Sequence, residues 1–303
     1  MKIAVTGASG LIGAALLPAL RGEGHEVVRL VRRTAHAVDE VTWDPAAGRL
    51  DPQALADVDA VVHLAGAGVG DRRWTSSYRA LVRDSRVDGT TTVARALAAA
   101  PRRPRVLLSG SAVGFYGDTG DRAVDESAPS GDGFLAEVCR AWEASTAPAE
   151  EAGVRVAHLR TGVVLSRDGG ALAKQLPVFR AGLGGQLGHG RQYVSWISVH
   201  DQVAAIRYLL TADDVRGPVN LTAPEPATNR DFGRALGAAL RRPALARVPG
   251  VALRVALGGF AEEAVLAGQR VLPAVLQRAG YRFRHPGLPA ALDAVLHDPL
   301  PTL

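Results

Sequence analysis

Cysteine is nearly absent. Cys139 stands alone, which excludes an internal disulfide framework and gives no reason to expect secretion. One cysteine cannot build a structural zinc site, and the eight histidines never fall at H-x-x-x-H spacing, so no metal site is expected. Long apolar runs are missing too: none reaches the roughly 20 residues that span a bilayer. The first apolar stretch runs into glycines and has no cleavage-site pattern, so it reads as a core strand, not a signal peptide. The expectation is a cytoplasmic protein with no membrane partner. Lysine is confined to Lys2 and Lys174, so nearly all the positive charge is arginine. A net charge of +5 and a pI near 9.8 raise nucleic-acid binding as an option. The arginines are scattered, however, and groups such as Arg102-Arg103-Pro104-Arg105 lack interleaved aromatics. They read as a solvated surface, with no nucleic-acid partner. Ser111 has no glycine two positions before it, which excludes a G-x-S-x-G nucleophile elbow.

What is present begins at residues 3–13, Ile-Ala-Val-Thr-Gly-Ala-Ser-Gly-Leu-Ile-Gly. An apolar strand meets glycines at Gly7, Gly10 and Gly13, and a helical pattern follows to about Arg21. Gly7 permits a tight strand-to-helix turn, Gly10 leaves no Cβ between main chain and ligand, and Gly13 lets the helix pack on the strand. The helix start then points unsatisfied N–H groups at an anion. Residues Gly7, Ala8, Ser9, Gly10, Leu11, Ile12 and Gly13 therefore form a candidate pyrophosphate cradle. The missing Gly-Lys-Ser/Thr ending excludes a P-loop. A second strand, Glu26 to Val31, ends at Arg32-Arg33 with no acid before Asp39. An acid there would bind the ribose hydroxyls of NAD; two guanidinium forks suit a 2′-phosphate instead. NADP(H) is favoured over NAD(H), unless these arginines merely belong to the arginine-rich surface.

Strand and helix go on alternating. Ala60 to Ala65 reads as a strand, Thr90 to Ala99 as a helix, Arg105 to Ser109 as a strand, Phe134 to Glu151 as a helix and Val154 to Leu159 as a strand. The fold class is α/β: a Rossmann-type doubly wound parallel sheet with a smaller, mostly helical C-terminal substrate lobe. Residues 1–165, with 196–222 returning to them, form the cofactor domain. Residues 166–195 and 223–303 form the substrate lobe. The stretch to Gln192 is glycine-rich and reads as a flexible lid or a ligand-binding segment.

Several stretches together resemble an extended short-chain dehydrogenase/reductase. They are the glycine turn, His63-Leu64-Ala65-Gly66, Ser109 to Gly117 (SGSAVGFYG), Trp196 to Asp201 (WISVHD) and Val219 to Ala223 (VNLTA). More narrowly, Val41 to Asp44 (VTWD), Asp84-Ser85-Arg86, Arg160 to Leu165 (RTGVVL) and Leu266 to Pro273 (LAGQRVLP) resemble its atypical epimerase-like branch, the SDR39U1/YfcH group. The resemblance covers essentially the whole chain, and the last 50 or so residues are similar to that branch's C-terminal domain. It implies that Gly7 to Gly13 cradle the pyrophosphate, Arg32 takes the 2′-phosphate, and His63, Leu64, Ala65 and Gly66 line the adenine and ribose side. Arg86 and Arg160 would contact the cofactor, or else be salt bridges that fasten helix and strand ends. His63 would be a contact or a buried structural histidine.

The superfamily's usual tyrosine, with a lysine four residues later, is absent. Neither lysine follows any of the five tyrosines at that spacing. Ser111 matches the superfamily serine that bonds the reacting oxygen. Tyr116 is either a proton donor or a residue closing the loop at Gly117. Cys139 reads as a small buried residue and Glu137 as a solvated carboxylate. Two functions remain open. One is an NADP(H)-dependent oxidoreductase or sugar-nucleotide-epimerase-like enzyme acting on a small carbonyl or sugar-like substrate. The other is a non-catalytic NADP(H)-binding or redox-sensing protein. A homodimer is expected by analogy alone.

Overall fold

A computed structural model describes residues 1–298. Seven parallel strands form its main sheet: β1 (Lys2–Thr6), β2 (Glu26–Val31), β3 (Glu40–Thr42), β4 (Ala60–His63), β5 (Val106–Ala112), β6 (Arg155–Thr161) and β7 (Gly217–Leu221). Their spatial order is β7-β6-β5-β4-β1-β2-β3. The chain builds outward from β1 to β3, then returns to lay β4 on the other side of β1. The carboxyl ends of β1 and β4 are therefore the switch point where such sheets open a crevice for ligands.

Burial on both faces explains why these strands read as nearly unbroken apolar runs. Side chains alternate across the sheet. Ile3, Val5, Val62 and Leu108 enter one core, with Leu16 and Leu20 of α1 (Leu11–Gly22). Ala4, Val61 and Leu107 enter the other, with Val93 and Leu97 of α2 (Ser76–Ala99). Leu16, Leu97, Leu107 and Leu108 are fully buried, and each contributes about 1.5–3 kcal/mol. α2 starts well before the Thr90 at which the sequence pattern becomes clear, at a Thr75 cap whose hydroxyl accepts from Tyr78 N.

The stretch expected as one helix from Phe134 to Glu151 is two, α3 (Phe134–Ala144) and α4 (Ala147–Glu151). Pro148 has no N–H to continue the ladder, and the Ser145 and Thr146 hydroxyls bond back to the carbonyls of Ala141 and Glu143. The strands expected at 105–109 and 154–159 extend to Ala112 and Thr161, so Ser111 and Arg160 lie on strands. The glycine-rich stretch contains a strand, Gly185–Leu187, paired in parallel with Ala246–Val248.

The remaining helices are α5 (Gly170–Arg180), α6 (Val199–Thr211), α7 (Asn229–Ala239), α8 (Gly250–Leu257), α9 (Ala274–Arg278) and α10 (Leu288–His297). Leu288, Ala291, Leu292 and Val295 of α10 join the same core as α1 and α6. Asp201 holds that end together: it accepts from Ser198 Oγ, Tyr281 OH and the N–H groups of Arg284 and His285. Among the described residues no helix is long and apolar enough to cross a membrane.

Candidate functional site

At the switch point the backbone makes the site. Gly7 has φ +67°, and a Cβ there would lie 2.8 Å from Leu64 O; one on Gly13 would lie 2.3 Å from Gly7 O. A side chain at either position would push the turn off β4 or lift α1 off the turn. A Cβ on Gly10 would approach only Gly7 O, at 3.2 Å, and otherwise meet open space. No side chain caps the start of α1, and its first turn holds no acid. The exposed N–H groups and the positive end of the helix dipole are thus free for an anion. Beside them a cleft of about 530 Å³ runs between Ser9–Leu11 and Ser166–Gly170. These features fit a dinucleotide pyrophosphate.

Beneath the turn, Thr6 Oγ1 accepts from Leu64 N and Ala65 N at 3.0 and 3.1 Å and lies 2.7 Å from His63 Nδ1. With two protons already accepted, the threonine hydroxyl donates to the imidazole. Burial pushes the His63 pKa down to about 4, so the ring is neutral. His63 is a fully buried strut under the strand end, which is the structural alternative left open for it. Leu64 and Ala65 are half-buried and Gly66 is exposed just past the end of β4.

The two arginines after β2 part company. Arg33 forms a bidentate pair with Glu40, at 2.8 and 2.6 Å. That pairing, reinforced by His36 N–H, holds Glu40 down to about 2. Arg29 and Arg21 are engaged by Asp39. Arg32 is exposed and makes no ion pair among the described residues. Of the two arginines grouped as phosphate ligands, Arg33 thus has its fork occupied by Glu40, a partner unseen in the sequence, and Arg32 does not.

Arg86 is buried, with Nη1 donating to Ala67 O and Val82 O and its guanidinium stacked on Trp142. It ties the loop after β4 to α2, as a fastening residue would. Trp196 is fully buried and donates to Glu225 O. Lys174 is bonded to Gly70 O near Asp71. Glu137 is exposed, and Cys139 is buried, its thiol pushed up to about 11 chiefly by that burial.

A second cluster lies where β5 and β6 end. Their register sets Ser109 beside His158 and Ser111 beside Arg160, so all four face α3. From α3, Glu143 reaches into that face. Ser111 Oγ donates to Glu143 Oε1 at 2.6 Å. Arg160 grips the same carboxylate with Nε and Nη2, both at 2.8 Å, while its Nη1 donates to Tyr116 OH at 3.0 Å. Tyr116 OH donates onward to Asn220 Oδ1 at 2.8 Å. The Arg160 guanidinium also lies over the Phe115 ring. Burial works against its charge, but Glu143 outweighs burial and raises its pKa. Burial likewise pushes the Tyr116 phenol up, with Arg160 opposing. Tyr116 does not merely close the loop at Gly117: its hydroxyl anchors the buried arginine.

Sequence reasoning missed Glu143, although a signal was there. Phe134, Ala136, Val138, Cys139 and Trp142 mark the buried face of α3; at 100° per residue Glu143 falls beside Ala136 on that face and Glu137 opposite it. Glu126 was missed as well. It accepts from Asn220 N and Val275 N, and so joins β7 to the start of α9. Glu263 Oε2 accepts from Leu135 N in the first turn of α3, so a C-terminal carboxylate caps the helix that carries Glu143.

Residues 3–221 match the NAD dependent epimerase/dehydratase family, and residues 248–295 match a domain of unknown function, DUF1731. The epimerase family protein Mb2239 of Mycobacterium bovis is 48% identical over 290 residues, 96% of each chain. A crystal structure of human epimerase family protein SDR39U1 (isoform 2) with NADPH is 34% identical. It covers 98% of this chain and 100% of that one, with a TM-score of 0.90. A nucleoside-diphosphate sugar epimerase from Corynebacterium glutamicum is 37% identical with a TM-score of 0.82, over 98% of this chain and 58% of that one. With a glycine cradle at the switch point of a seven-stranded parallel sheet, and relatives matched over nearly its full length, this chain belongs to the NAD dependent epimerase/dehydratase family.

Proposed function

We propose that the chain is an NADP(H)-dependent oxidoreductase or epimerase-like enzyme acting on a small carbonyl- or sugar-like substrate. Arg32 carries the choice of cofactor. It is the exposed, unpaired guanidinium at the end of β2, where Arg29 and Arg33 are already engaged by Asp39 and Glu40. The human relative that was crystallised with NADPH supports the same reading. Gly7 to Gly13 would hold the pyrophosphate through the first-turn N–H groups of α1, Arg32 the 2′-phosphate, and Leu64 to Gly66 the adenine and ribose side. When bound, the nicotinamide supplies hydride transfer. Ser111, at the end of β5, would touch the reacting oxygen, while Tyr116 positions Arg160. Residues 1–165 and 196–222 would carry the cofactor, and 166–195 and 223–303 would enclose the substrate.

Titration of tryptophan fluorescence tests the cofactor assignment. NADPH should bind more tightly than NADH. Arg32→Ala should weaken NADPH by about 10–100-fold, the worth of one or two charge-assisted hydrogen bonds, and leave NADH unchanged. Equal affinity of the wild-type chain for the two cofactors would overturn the assignment.

One observation favours a non-catalytic, redox-sensing reading: the hydroxyl protons of Ser111 and Tyr116 are both committed to protein acceptors. Carbonyl and nucleotide-sugar panels, read for NADPH oxidation or epimer formation in wild type and Ser111→Ala, separate the two readings. Turnover that is lost in Ser111→Ala supports the enzyme.

A further inference from the structure

The direction of the hydrogen bonds at the β5–β6 edge says what kind of ligand group the site can serve. A serine hydroxyl has one proton and two lone pairs. Ser111 sends its proton to Glu143, and a carboxylate gripped by Arg160 has no proton to return. Tyr116 also donates away from the site, to Asn220. Ser111 therefore presents lone pairs to a ligand.

Behind Glu143 a line of polar groups leads to the surface. Glu143 Oε2 is 4.0 Å from His158 Nδ1, within ion-pair range when the imidazole is charged. His158 Nε2 lies 2.9 Å from Thr146 Oγ1 and 3.5 Å from Glu150 Oε1. The Thr146 hydroxyl lies 2.7 Å from Glu143 O and 2.6 Å from Glu150 Oε1, acceptors only, so its single proton points to one of them. His158 must then donate from Nε2 to Thr146, which leaves the Nδ1 lone pair facing Glu143. Exposure rises along the line: the side chains of Glu143 and His158 are 11% and 12% exposed, that of Glu150 49%.

We propose that Ser111, Glu143, His158 and Glu150 form a proton-withdrawing path, so that the group bound at Ser111 is a ligand hydroxyl whose proton leaves to solvent. The proposal rests on the reading of the site given above. The ligand O–H bond breaks as its proton joins Ser111 Oγ, and the proton Ser111 held joins the Glu143 carboxylate. Glu143 passes it to His158 Nδ1, and the Nε2 proton joins Thr146 Oγ1 as the Thr146 hydroxyl proton goes to Glu150 and out to solvent, with the imidazole resetting its tautomer by exchange with water. In an alcohol oxidation the charge left on the ligand oxygen is discharged as the adjacent C–H electron pair departs as hydride to oxidised NADP, and a carbonyl remains. The group the path serves is thus an alcohol hydroxyl rather than a carbonyl oxygen.

The groups facing His158 are Glu143 from α3, Glu150 from α4 and Arg160 on its own strand. Burial, the largest influence, lowers its pKa and the two carboxylates oppose. The test is the titration of His158 by NMR of the full chain with labelled imidazoles and no added ligand. Glu150→Gln should lower the midpoint by about half a pH unit or more and slow exchange of the Nε2 proton with water severalfold. Ser111→Ala, which makes no hydrogen bond to His158, should raise the midpoint by removing a donor from Glu143. Glu143→Gln should erase that response; if it leaves Arg160 unpaired and fails to fold, the first two variants decide. A His158 midpoint indifferent to Ser111→Ala, or an exchange rate indifferent to Glu150→Gln, overturns the path. The titration needs no cofactor. Failure of NADPH to bind would sink the proposed function and leave the path standing, and unmoved titrations in a chain that binds NADPH would do the reverse.

Discussion

The glycine turn after β1 and the Ser111–Glu143–Arg160–Tyr116 network after β5 are two ways of building a polar site on one sheet. The turn is made of backbone. Its groups lie within seven residues, from Gly7 to Gly13, and need only small side chains and an uncapped helix to face an anion. The network is made of side chains from four separate stretches, and its charges are tolerable inside the protein only because each meets a partner. A backbone site survives substitutions around it but not within it; a side-chain network fails when any charged member loses its partner.

The comparison can be broken first at the turn. Gly13→Val puts a branched side chain where even a Cβ would meet Gly7 O at 2.3 Å. The loss should be about 4 kcal/mol or more in urea unfolding, with NADPH binding abolished. Next comes the network. Glu143→Ala leaves Arg160 buried and unpaired and should cost about 3 kcal/mol or more. Glu143→Leu with Arg160→Met should recover much of that, as apolar replacements of buried ion pairs do. Failure of the double variant to recover would mean that the network's shape matters beyond its charge balance.

A pH series compares the two regions in one experiment. His63, under the turn, has a folded pKa of about 4 against 6.5 unfolded. The unfolded chain therefore binds more protons between those values. The stability is fully present above pH 6.5 and drains as pH falls toward 4, by about 2 kcal/mol between pH 7 and pH 5. His63→Asn should flatten most of that slope. His158, in the network, is lowered in the same direction and should account for part of what remains. The smallest effect is expected at Arg33. Its guanidinium is 53% exposed, so Arg33→Ala should change melting by less than about 1 kcal/mol and leave NADPH affinity near that of wild type. A loss equal to that of Arg32→Ala would restore Arg33 to the phosphate site.

Legibility followed the range of the interactions. The parallel sheet could be read because strands buried on both faces leave apolar runs, and the cradle because its residues are contiguous. The break between α3 and α4 is marked locally by Pro148 alone, inside a stretch whose helical pattern continues on either side. The pairing of Arg33 with Glu40 was not visible, since it depends on β2 and β3 lying in register, with Arg29 opposite Glu40. Glu143 was in the helical pattern, yet nothing local said that Ser111 and Arg160 would come to meet it.

The sequence by itself determined the αβ alternation, the glycine turn with its uncapped helix, and the lack of a tyrosine–lysine pair, because each is written in residues close along the chain or in the inventory of residue types. Tertiary structure alone decided that Arg32 and not Arg33 stays available, that Tyr116 holds an arginine, and that Glu143 stands behind Ser111. Those outcomes depend on which charges the packed sheet brings within about 3 Å of one another, and a buried charge settles with whichever partner the fold delivers.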